Sequence, residues 1–324
     1  MKKFLIPLCL CVAGMVHAQQ DHQYTQFMYN KLLLNPAYAG ARGVPSLSAV
    51  YRNQWAGFSG APQSALVSLN TPFLSPRVGA GIVMSHQSAG LQRDFFGSMA
   101  YSYDMIASED ISFRVGIQGS LRSMALNFND AQTADPGGPA IDPSLETERN
   151  SSVFGNVGAG VYATFRQRFY AGFSVPRLYT NIIGLNSGTV TTAREYRHYY
   201  GMAGAVLPLS KEIKFLPAVL IKYVDGAPID ADINLNLDVR EKVTFGLSGR
   251  LGGDKGLESL DLLVFWQATS KIGIGFAYDF TLSGIRDYSA GSFELLLQAD
   301  LKEQPRKGKG KKGRKNLSNP RFFL

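Results

Sequence analysis

The sequence is short of the residues that catalysis and metal binding usually need. Its two cysteines, Cys9 and Cys11, fall within an apolar N-terminal stretch. Residues 1–18 form a short basic segment, an apolar run and a small-residue end, which is typical of a secretory signal peptide cleaved before Gln19. The mature chain would then contain no thiol and no disulfide. This excludes cysteine nucleophiles and cysteine metal sites.

Histidine is equally scarce, and the common catalytic motifs are missing. His22, His86 and His198 remain after cleavage and lie far apart in the sequence. No zinc-protease or serine-hydrolase motif occurs. Residues 230–238 resemble a calcium loop only superficially, because Leu235 stands where such a loop needs glycine. The sequence therefore predicts no enzyme, no catalytic residues, no metal site and no cofactor; an enzyme built from dispersed residues would have to use His86 or His198.

Long apolar runs are also missing. The mature chain nowhere has 18 consecutive apolar residues, so no spanning helix is predicted. Instead, residues 229–240 alternate without a break between apolar and polar side chains. Successive side chains of a β-strand point to opposite faces, so this segment has one apolar and one polar face. About twelve residues at roughly 3.3 Å each, tilted by about 40°, would cover on the order of 30 Å, the thickness of a hydrocarbon core.

The same alternation predicts thirteen further strands, joined by turns rich in glycine and polar residues. They are 46–54, 63–70, 77–88, 93–105, 111–122, 152–164, 168–175, 196–207, 213–223, 243–251, 260–266, 272–280 and 288–301. If both termini are periplasmic, the two longest connections, 127–150 and 176–195, fall on the outer side, as bacterial outer-membrane barrels prefer. The sequence thus predicts an all-β protein, a single antiparallel transmembrane β-barrel of about 14 strands and of the outer-membrane type.

Alternation alone would also fit a soluble β-sandwich or barrel with its polar face outward. The membrane barrel is favoured by the number of hairpins, by the length of the strands and by aromatic residues near strand ends, which are typical of interfacial girdles. These aromatic residues are Tyr51, Trp55, Tyr103, Tyr196, Tyr199, Tyr200, Tyr223 and Trp266.

The basic charge of the protein is confined to its C-terminal end. Residues 302–324 hold nine Lys or Arg and one Glu, which accounts for the whole net charge of +8. This segment is too polar and too rich in glycine to fold alone. A secreted protein does not meet nucleic acid, so the expected partner is an anionic periplasmic protein, peptidoglycan or lipid head group. The alternative is a solvated extension that prevents aggregation.

These features predict four regions. They are a signal peptide at 1–18, a periplasmic N-terminal strap or plug at 19–45, an outer-membrane barrel at 46–301 and a basic periplasmic tail at 302–324. The strap is expected to be covered, because its three leucines, four aromatic residues and Asn-Pro turn are too apolar to remain in water.

Several blocks of sequence carry a family resemblance. They are 21–30 (Asp-His-Gln-Tyr-Thr-Gln-Phe-Met-Tyr-Asn), 32–40 (Leu-Leu-Leu-Asn-Pro-Ala-Tyr-Ala-Gly), 51–55 (Tyr-Arg-Asn-Gln-Trp), 60–62 (Gly-Ala-Pro) and 319–323 (Asn-Pro-Arg-Phe-Phe). Together they resemble the PorP/SprF family of type IX secretion system membrane proteins of Bacteroidetes. Residues 130–195 match nothing in that family.

The resemblance implies a non-enzymatic component of the type IX secretion and gliding motility apparatus in the Gram-negative cell outer membrane. It implies support for export or surface attachment of adhesin-type cargo by protein–protein binding. The implied partners are type IX secretion and gliding proteins, including periplasmic and cargo components, and outer-membrane lipid. The alternative function is a passive outer-membrane channel or hydrophobic-solute transporter.

We expect strap and tail to form one periplasmic docking surface, with help from the start of the barrel. The candidate partner-binding residues are Asn35, Pro36, Tyr38, Arg52, Trp55, Lys307, Lys309, Lys311, Lys312, Arg314, Arg321, Phe322 and Phe323.

Overall fold

A computed structural model describes residues 23–108, 110–127, 150–184, 191–252 and 256–302. The predicted signal peptide and nearly all of the basic tail lie outside these ranges.

Among the described residues no helix is long and apolar enough to span a membrane. The short 3-10 helices are Phe27–Tyr29, Lys31–Leu33, Pro36–Tyr38 and Gly284–Tyr288. The strands are β1 (Ser46–Asn53), β2 (Gln63–Phe73), β3 (Ser75–Ala89), β4 (Gln92–Ala107), β5 (Ile111–Leu126), β6 (Asn150–Phe165), β7 (Phe169–Val175), β8 (Asn181–Gly184), β9 (Thr191–Glu195), β10 (His198–Ala205), β11 (Leu207–Pro208), β12 (Ile213–Val224), β13 (Asp230–Val239), β14 (Val243–Gly252), β15 (Gly256–Gln267), β16 (Ile272–Thr281) and β17 (Ser292–Asp300).

Fourteen of these strands form one closed antiparallel wall. Nearly all of them pair with the next strand along the chain, and β10 pairs with both β7 and β12. Pairing of β1 with β17 closes the circle. The two-residue β11 continues the line of β10 along β12, and β8 and β9 form a separate hairpin. The predicted barrel of about 14 strands is confirmed.

The wall is apolar outside and polar inside. On β13 the outward side chains of Ile233, Leu235 and Leu237 are 40%, 47% and 43% exposed, whereas Asp232 and Asn234 point inward and are buried. Most of the other wall strands repeat the pattern, with large apolar side chains exposed and Ser, Asn, Asp or Arg buried. A soluble barrel would do the reverse. The exposed apolar belt is that of a membrane barrel.

Aromatic residues lie near both rims of this belt. Tyr51, Tyr103, Tyr223 and Trp266 are outward-facing and well exposed near strand ends, as predicted for a girdle. Tyr200 is different, because it is buried in the lumen. Its predicted place in the girdle is wrong, since the even-numbered positions of β10 point inward.

The two ends of the barrel differ in their connections. One end, called the short-turn end, carries the turns at residues 74, 108–110, 166–168, 209–212, 240–242 and 268–271. The opposite end, called the long-loop end, carries the connections 54–62, 90–91, 127–149, 176–197, 225–229, 253–255 and 282–291. Strand β1 begins and β17 ends at the short-turn end, where Ser46 pairs with Asp300.

Candidate functional site in the barrel lumen

The segment before β1 lies inside the barrel. Its described part, residues 23–45, is called the plug. Its side chains are almost all buried, and they pack against lumen-facing residues from both halves of the wall. The plug starts near the long-loop end, beside Glu294 close to the start of β17, and finishes at the short-turn end, beside Asp300. It therefore runs the height of the lumen.

The first anchor of the plug is a buried ionic cluster near the long-loop end. Arg52 of β1 is paired with Asp279 (Nη2–Oδ2 2.5 Å) and with Glu294 (Nη1–Oε2 3.3 Å). The backbone N–H groups of Thr25 and Gln26 each donate to a different oxygen of Glu294 at 3.0 Å. Hydrogen bonds to a charged group are stronger than neutral ones. The cluster thus joins the plug to the strands that close the barrel.

The middle anchor is Asn35. Its side-chain oxygen accepts a hydrogen bond from the backbone N–H of Ala37 (2.9 Å) and so caps the third 3-10 helix. Its side-chain nitrogen donates to the carbonyl of Val161 on β6 (2.9 Å). Gly160 and Gly172 leave the necessary space, because a β-carbon at either position would come within 2.8 Å of the Asn35 amide.

The third anchor lies at the short-turn end. The carbonyl of Ala39 accepts a hydrogen bond from the hydroxyl of Ser102 at 2.6 Å. Arg42 and Asp300 form a buried ion pair at 2.9 Å. The plug is therefore fixed to the wall near its start, near its middle and near its end.

Two glycines of the wall let the plug backbone come unusually close. A β-carbon on Gly79 of β3 would lie 2.0 Å from the carbonyl oxygen of Ala39. A β-carbon on Gly116 of β5 would lie 2.4 Å from the backbone nitrogen of Ala37. Real β-carbons do not approach backbone atoms this closely, so only glycine fits at these two positions.

A lysine is buried among aromatic rings in the plug. The Nζ atom of Lys31 lies 4.3 Å from the ring centre of Tyr170 and 5.4 Å from that of Tyr38. Both distances suit a cation–π interaction. Burial, and to a lesser extent the charge of Arg42, lower the pKa of Lys31 well below its usual value of 10.5.

Replacing Lys31 by Met should stabilise the folded protein at neutral pH. Between the lowered pKa and 10.5 the unfolded chain binds more protons than the folded one, so the stability of the wild type rises with pH over this window. Met has a side chain of similar length, and it has no amine that can bind a proton. The gain from the variant should be largest below the window and smallest above 10.5.

The measurement is the thermal unfolding midpoint in detergent as a function of pH. Lys242→Met is the matched control, because Lys242 is exposed at a short turn and its replacement should not raise the unfolding midpoint. A gain for Lys31→Met that stays constant from neutral pH to pH 11 would contradict the assignment.

Two cavities lie between the plug and the wall toward the long-loop end. Their volumes, counted with open solvent at their mouths, are about 660 and 590 Å³. Tyr24, Leu33, Leu34 and Tyr200 line both. The first of these cavities is lined both by apolar side chains, such as Val50 and Leu220, and by charged ones, such as Lys222 and Asp232.

Buried charges also hold the connection between β7 and β10 against the wall. Arg122 of β5 is paired with Asp94 of β4 and with Glu195 (Nη1–Oε1 3.0 Å). Arg177 approaches the same Glu195 oxygen at 3.6 Å. These ion pairs therefore attach the connection to β4 and β5 at the long-loop end.

The described residues contain no group of three His, Cys, Asp or Glu placed to hold a metal ion. His86 is exposed on the outer face of β3, whereas His198 is buried in the lumen. The two histidines therefore cannot contribute to one active site.

The comparison with known families agrees with this geometry. The model of the type IX secretion system membrane protein PorP/SprF matches residues 16–298. The chain belongs to this family. Family and fold together support an outer-membrane location and are those of a secretion-system membrane barrel. A search of curated proteins found no match.

Solved outer-membrane barrels resemble this PorP/SprF family member at low sequence identity. The toluene transporter TbuX of Ralstonia pickettii is 10% identical, with a TM-score of 0.49, over 86% of this chain and 94% of its own. A Pseudomonas aeruginosa FadL homologue is 10% identical, with a TM-score of 0.45, over 89% of this chain and 96% of its own. Omp33 of Acinetobacter baumannii is 5% identical, with a TM-score of 0.46, over 79% of this chain and 97% of its own. At such identities the likeness is one of fold alone.

The PorP/SprF barrel places the candidate partner-binding residues in different environments. Asn35, Pro36, Tyr38 and Arg52 are buried in the lumen, where they connect plug and wall. Trp55 is half-buried at the long-loop end, and its backbone N–H donates to the hydroxyl of Ser292. Partner binding by these residues stays a prediction, and for the four buried ones it requires the plug to move. The tail positions lie outside the described residues: Lys307, Lys309, Lys311, Lys312, Arg314, Arg321, Phe322 and Phe323.

Several residues that hold the plug in this PorP/SprF barrel escaped the sequence analysis. Glu294 and Asp279 lie on strands far from the plug in sequence, and only barrel closure brings them to Thr25. The sequence placed both residues in predicted strands, 288–301 and 272–280, without indicating a partner for either. Lys31 could have been noticed in the sequence, because it is a single lysine between two apolar blocks that are expected to be buried.

Proposed function

We propose that this protein is a plugged, non-enzymatic outer-membrane component of the type IX secretion and gliding apparatus. In this role it supports export or surface attachment of adhesin-type cargo by binding other proteins. The observation that carries the proposal is the plug, which is fixed to the wall at three levels along the lumen. A passive channel or hydrophobic-solute transporter needs a path that this plug obstructs.

The long-loop end is proposed to face the cell exterior and the short-turn end the periplasm, as in other bacterial barrels. Strand β17 ends beside the start of β1, so the tail leaves from the short-turn end. A cationic tail at this place is suited to an anionic periplasmic partner. The proposed docking surface is the tail alone, because the residues of the strap from 23 onward lie inside the barrel.

Co-purification from the native envelope in mild detergent tests this proposal. Three forms are compared: the full chain, a deletion of residues 303–324, and a tail of unchanged length with the basic residues 307, 309, 311, 312 and 314 changed to Gln. Secretion or adhesin proteins should accompany the full chain and be lost from both variants. Loss in the deletion alone would assign binding to the terminal Arg321-Phe322-Phe323 motif instead of the charges.

The opposite outcome is equally informative. Partners retained by all three forms would exclude the tail as the docking surface. Recovery of the barrel alone from all three would contradict the proposed function and favour the channel, and conductance of the reconstituted wild type would then decide.

A further inference from the structure

Exposed charge is distributed unequally between the two ends of the barrel. Among the described side chains, the short-turn end carries eight exposed Lys or Arg and three exposed carboxylates, whereas the long-loop end carries one exposed Arg and two exposed carboxylates. The cations of the short-turn end are Arg77, Arg166, Arg168, Lys211, Arg240, Lys242, Lys271 and Lys302, and its carboxylates are Asp110, Glu212 and Glu241. The short-turn end is therefore strongly positive even without the basic tail.

Three of these lysines follow one another along one arc of the rim, called the lysine arc. Lys242 ends the turn between β13 and β14, Lys271 ends the turn between β15 and β16, and Lys302 follows β17. Within this arc Asp300 is buried, and its carboxylate is paired with Arg42. The three lysines thus have no exposed carboxylate between them in the described part of the chain.

The parts of the chain next to the lysine arc do not neutralise it. Glu241 precedes Lys242, but its carboxylate is paired with Lys214. Residues 303–324 hold eight Lys or Arg and one Glu, so they add positive charge to this end of the barrel. An anion from another molecule is therefore the group that the arc is suited to bind.

Backbone hydrogen bonds hold the lysine arc in a fixed arrangement. The N–H of Gln267 donates to the carbonyl of Lys242 at 2.7 Å, and the N–H of Asp300 donates to the carbonyl of Lys271 at 2.8 Å. The hydroxyl of Thr269 accepts a hydrogen bond from the N–H of Lys271 at 3.2 Å. Neighbouring strands lie about 4.8 Å apart, so the turns of successive hairpins are about 10 Å apart. Lysine side chains from two such turns can reach one phosphate group between them.

The lysine arc borders the apolar belt of the wall. Trp266 is 52% exposed on the outer face, and it lies beside the turn that carries Lys242. Leu301, directly before Lys302, is 61% exposed, and Phe276 on β16 is 49% exposed farther into the belt. Tryptophan favours the level of lipid head groups, because its ring is apolar and its N–H is a hydrogen-bond donor. The arc therefore places cations at head-group level, next to a surface that suits acyl chains.

We propose that the lysine arc binds an anionic phospholipid, with the phosphate between Lys242, Lys271 and Lys302 and the acyl chains against the belt beside Trp266. A free phosphate ion would match the lysines but would leave the apolar surface without a partner, so a lipid fits both parts of the site. Each lysine near an anionic bilayer surface strengthens association roughly fivefold. The site selects lipid at the end proposed to face the periplasm, independently of what the tail binds.

Quenching of tryptophan fluorescence by brominated lipids tests the proposal. The chain has two tryptophans, so Trp55→Phe leaves Trp266 as the single reporter beside the lysine arc. The full-length variant is reconstituted in phosphatidylcholine bilayers that contain either brominated phosphatidylglycerol or brominated phosphatidylcholine. The association constant at Trp266 should be at least roughly fivefold higher for phosphatidylglycerol. Lys242→Gln, Lys271→Gln and Lys302→Gln together should abolish this preference. If Trp55→Phe does not fold, the wild type measured with and without Trp266→Phe gives the same comparison.

The matched control removes three exposed cations from other parts of the same rim, through Arg77→Gln, Arg166→Gln and Arg168→Gln together. It lowers the net charge by the same amount and should keep the preference for phosphatidylglycerol. Equal loss in both triple variants, a preference that survives the change of the three lysines, or no preference in the starting protein would overturn the proposal. Loss of the preference on adding inorganic phosphate at constant ionic strength would also overturn it, because the site would then bind the free ion. None of these measurements needs a secretion partner, so their failure is separate from failure of the proposed function.

Discussion

Replacing Arg52 by Met is expected to lower the free energy of unfolding by about 3–5 kcal/mol. The side chains of Arg52, Asp279 and Glu294 are all at most 3% exposed. Without the guanidinium group, the buried carboxylates of Asp279 and Glu294 lose the cation that is paired with both of them. Leaving a buried charge unpaired is one of the few single changes that costs this much.

Replacing Arg52 should also weaken the attachment of the plug to the wall. The Nη1 atom of Arg52 donates to the hydroxyl of Thr25 at 3.1 Å, so the same change removes a direct contact with the plug. Glu294 and Asp279 would lose the cation that holds them in position, and their hold on Thr25 would weaken. We therefore expect the first turn of the plug to become susceptible to protease before the wall unfolds.

Chemical unfolding in detergent, followed by the heat-dependent gel mobility of the barrel, measures the effect. The matched control is Arg240→Met, which breaks an ion pair of similar geometry with Glu212. Both of those side chains are more than half exposed, so the control should cost less than about 1 kcal/mol. Equal losses in the two variants would show that burial of the Arg52 cluster does not decide its energy.

A double variant separates the two causes of the loss. Adding Glu294→Gln to Arg52→Met removes one of the two stranded charges and keeps the shape of the side chain. The double variant should recover part of the stability that Arg52→Met loses. If the two losses simply add, the charges of Arg52 and Glu294 are not coupled.

The barrel was predictable because its signal is local. Each wall strand alternates in its own sequence, as β13 does between Asp230 and Val239, and a period of two determines which face is apolar. Alternation did not decide between a membrane and a soluble barrel. The structure decided by showing which face is inside, and Leu235 is outside whereas Asn234 is inside.

The plug could be predicted only as an apolar segment that needed cover. Its position depends on contacts between residues more than a hundred positions apart, such as Asn35 with Val161 and Thr25 with Glu294. No periodic pattern connects such pairs, because the plug reaches these wall strands only in the folded barrel. The sequence alone could not show that Gly79 and Gly116 leave space for the backbone of the plug.

Replacing Gly116 by Ala should displace the plug and open the lumen while the wall stays intact. The new β-carbon would lie 2.4 and 2.5 Å from the backbone nitrogen and α-carbon of Ala37. Backbone atoms cannot give way as the end of a flexible side chain can, so either plug or strand must shift. Strand β5 is hydrogen-bonded on both sides, with Gly116 opposite Ser102 on β4 and Gly160 on β6. The plug, held mainly by side-chain contacts, should be the part that moves.

Overpacking of this kind costs about 1–3 kcal/mol, which corresponds to roughly a 5- to 150-fold larger population with the plug displaced. Single-channel conductance in planar bilayers should show this as longer or more frequent openings. Gly119→Ala is the matched control on the same strand, because a β-carbon on Gly119 meets nothing within 4 Å. Its conductance should equal that of the wild type.

The same pair of variants bears on function. A wild type that is closed and a Gly116→Ala variant that conducts would show that the plug closes the lumen, which disfavours the channel alternative. A wild type that already conducts as much as Gly116→Ala would mean that solutes pass the plug in place, and the channel would become the better account. Gly79→Ala on β3 provides an independent check, since its β-carbon would lie 2.0 Å from the carbonyl oxygen of Ala39 and should open the lumen in the same way.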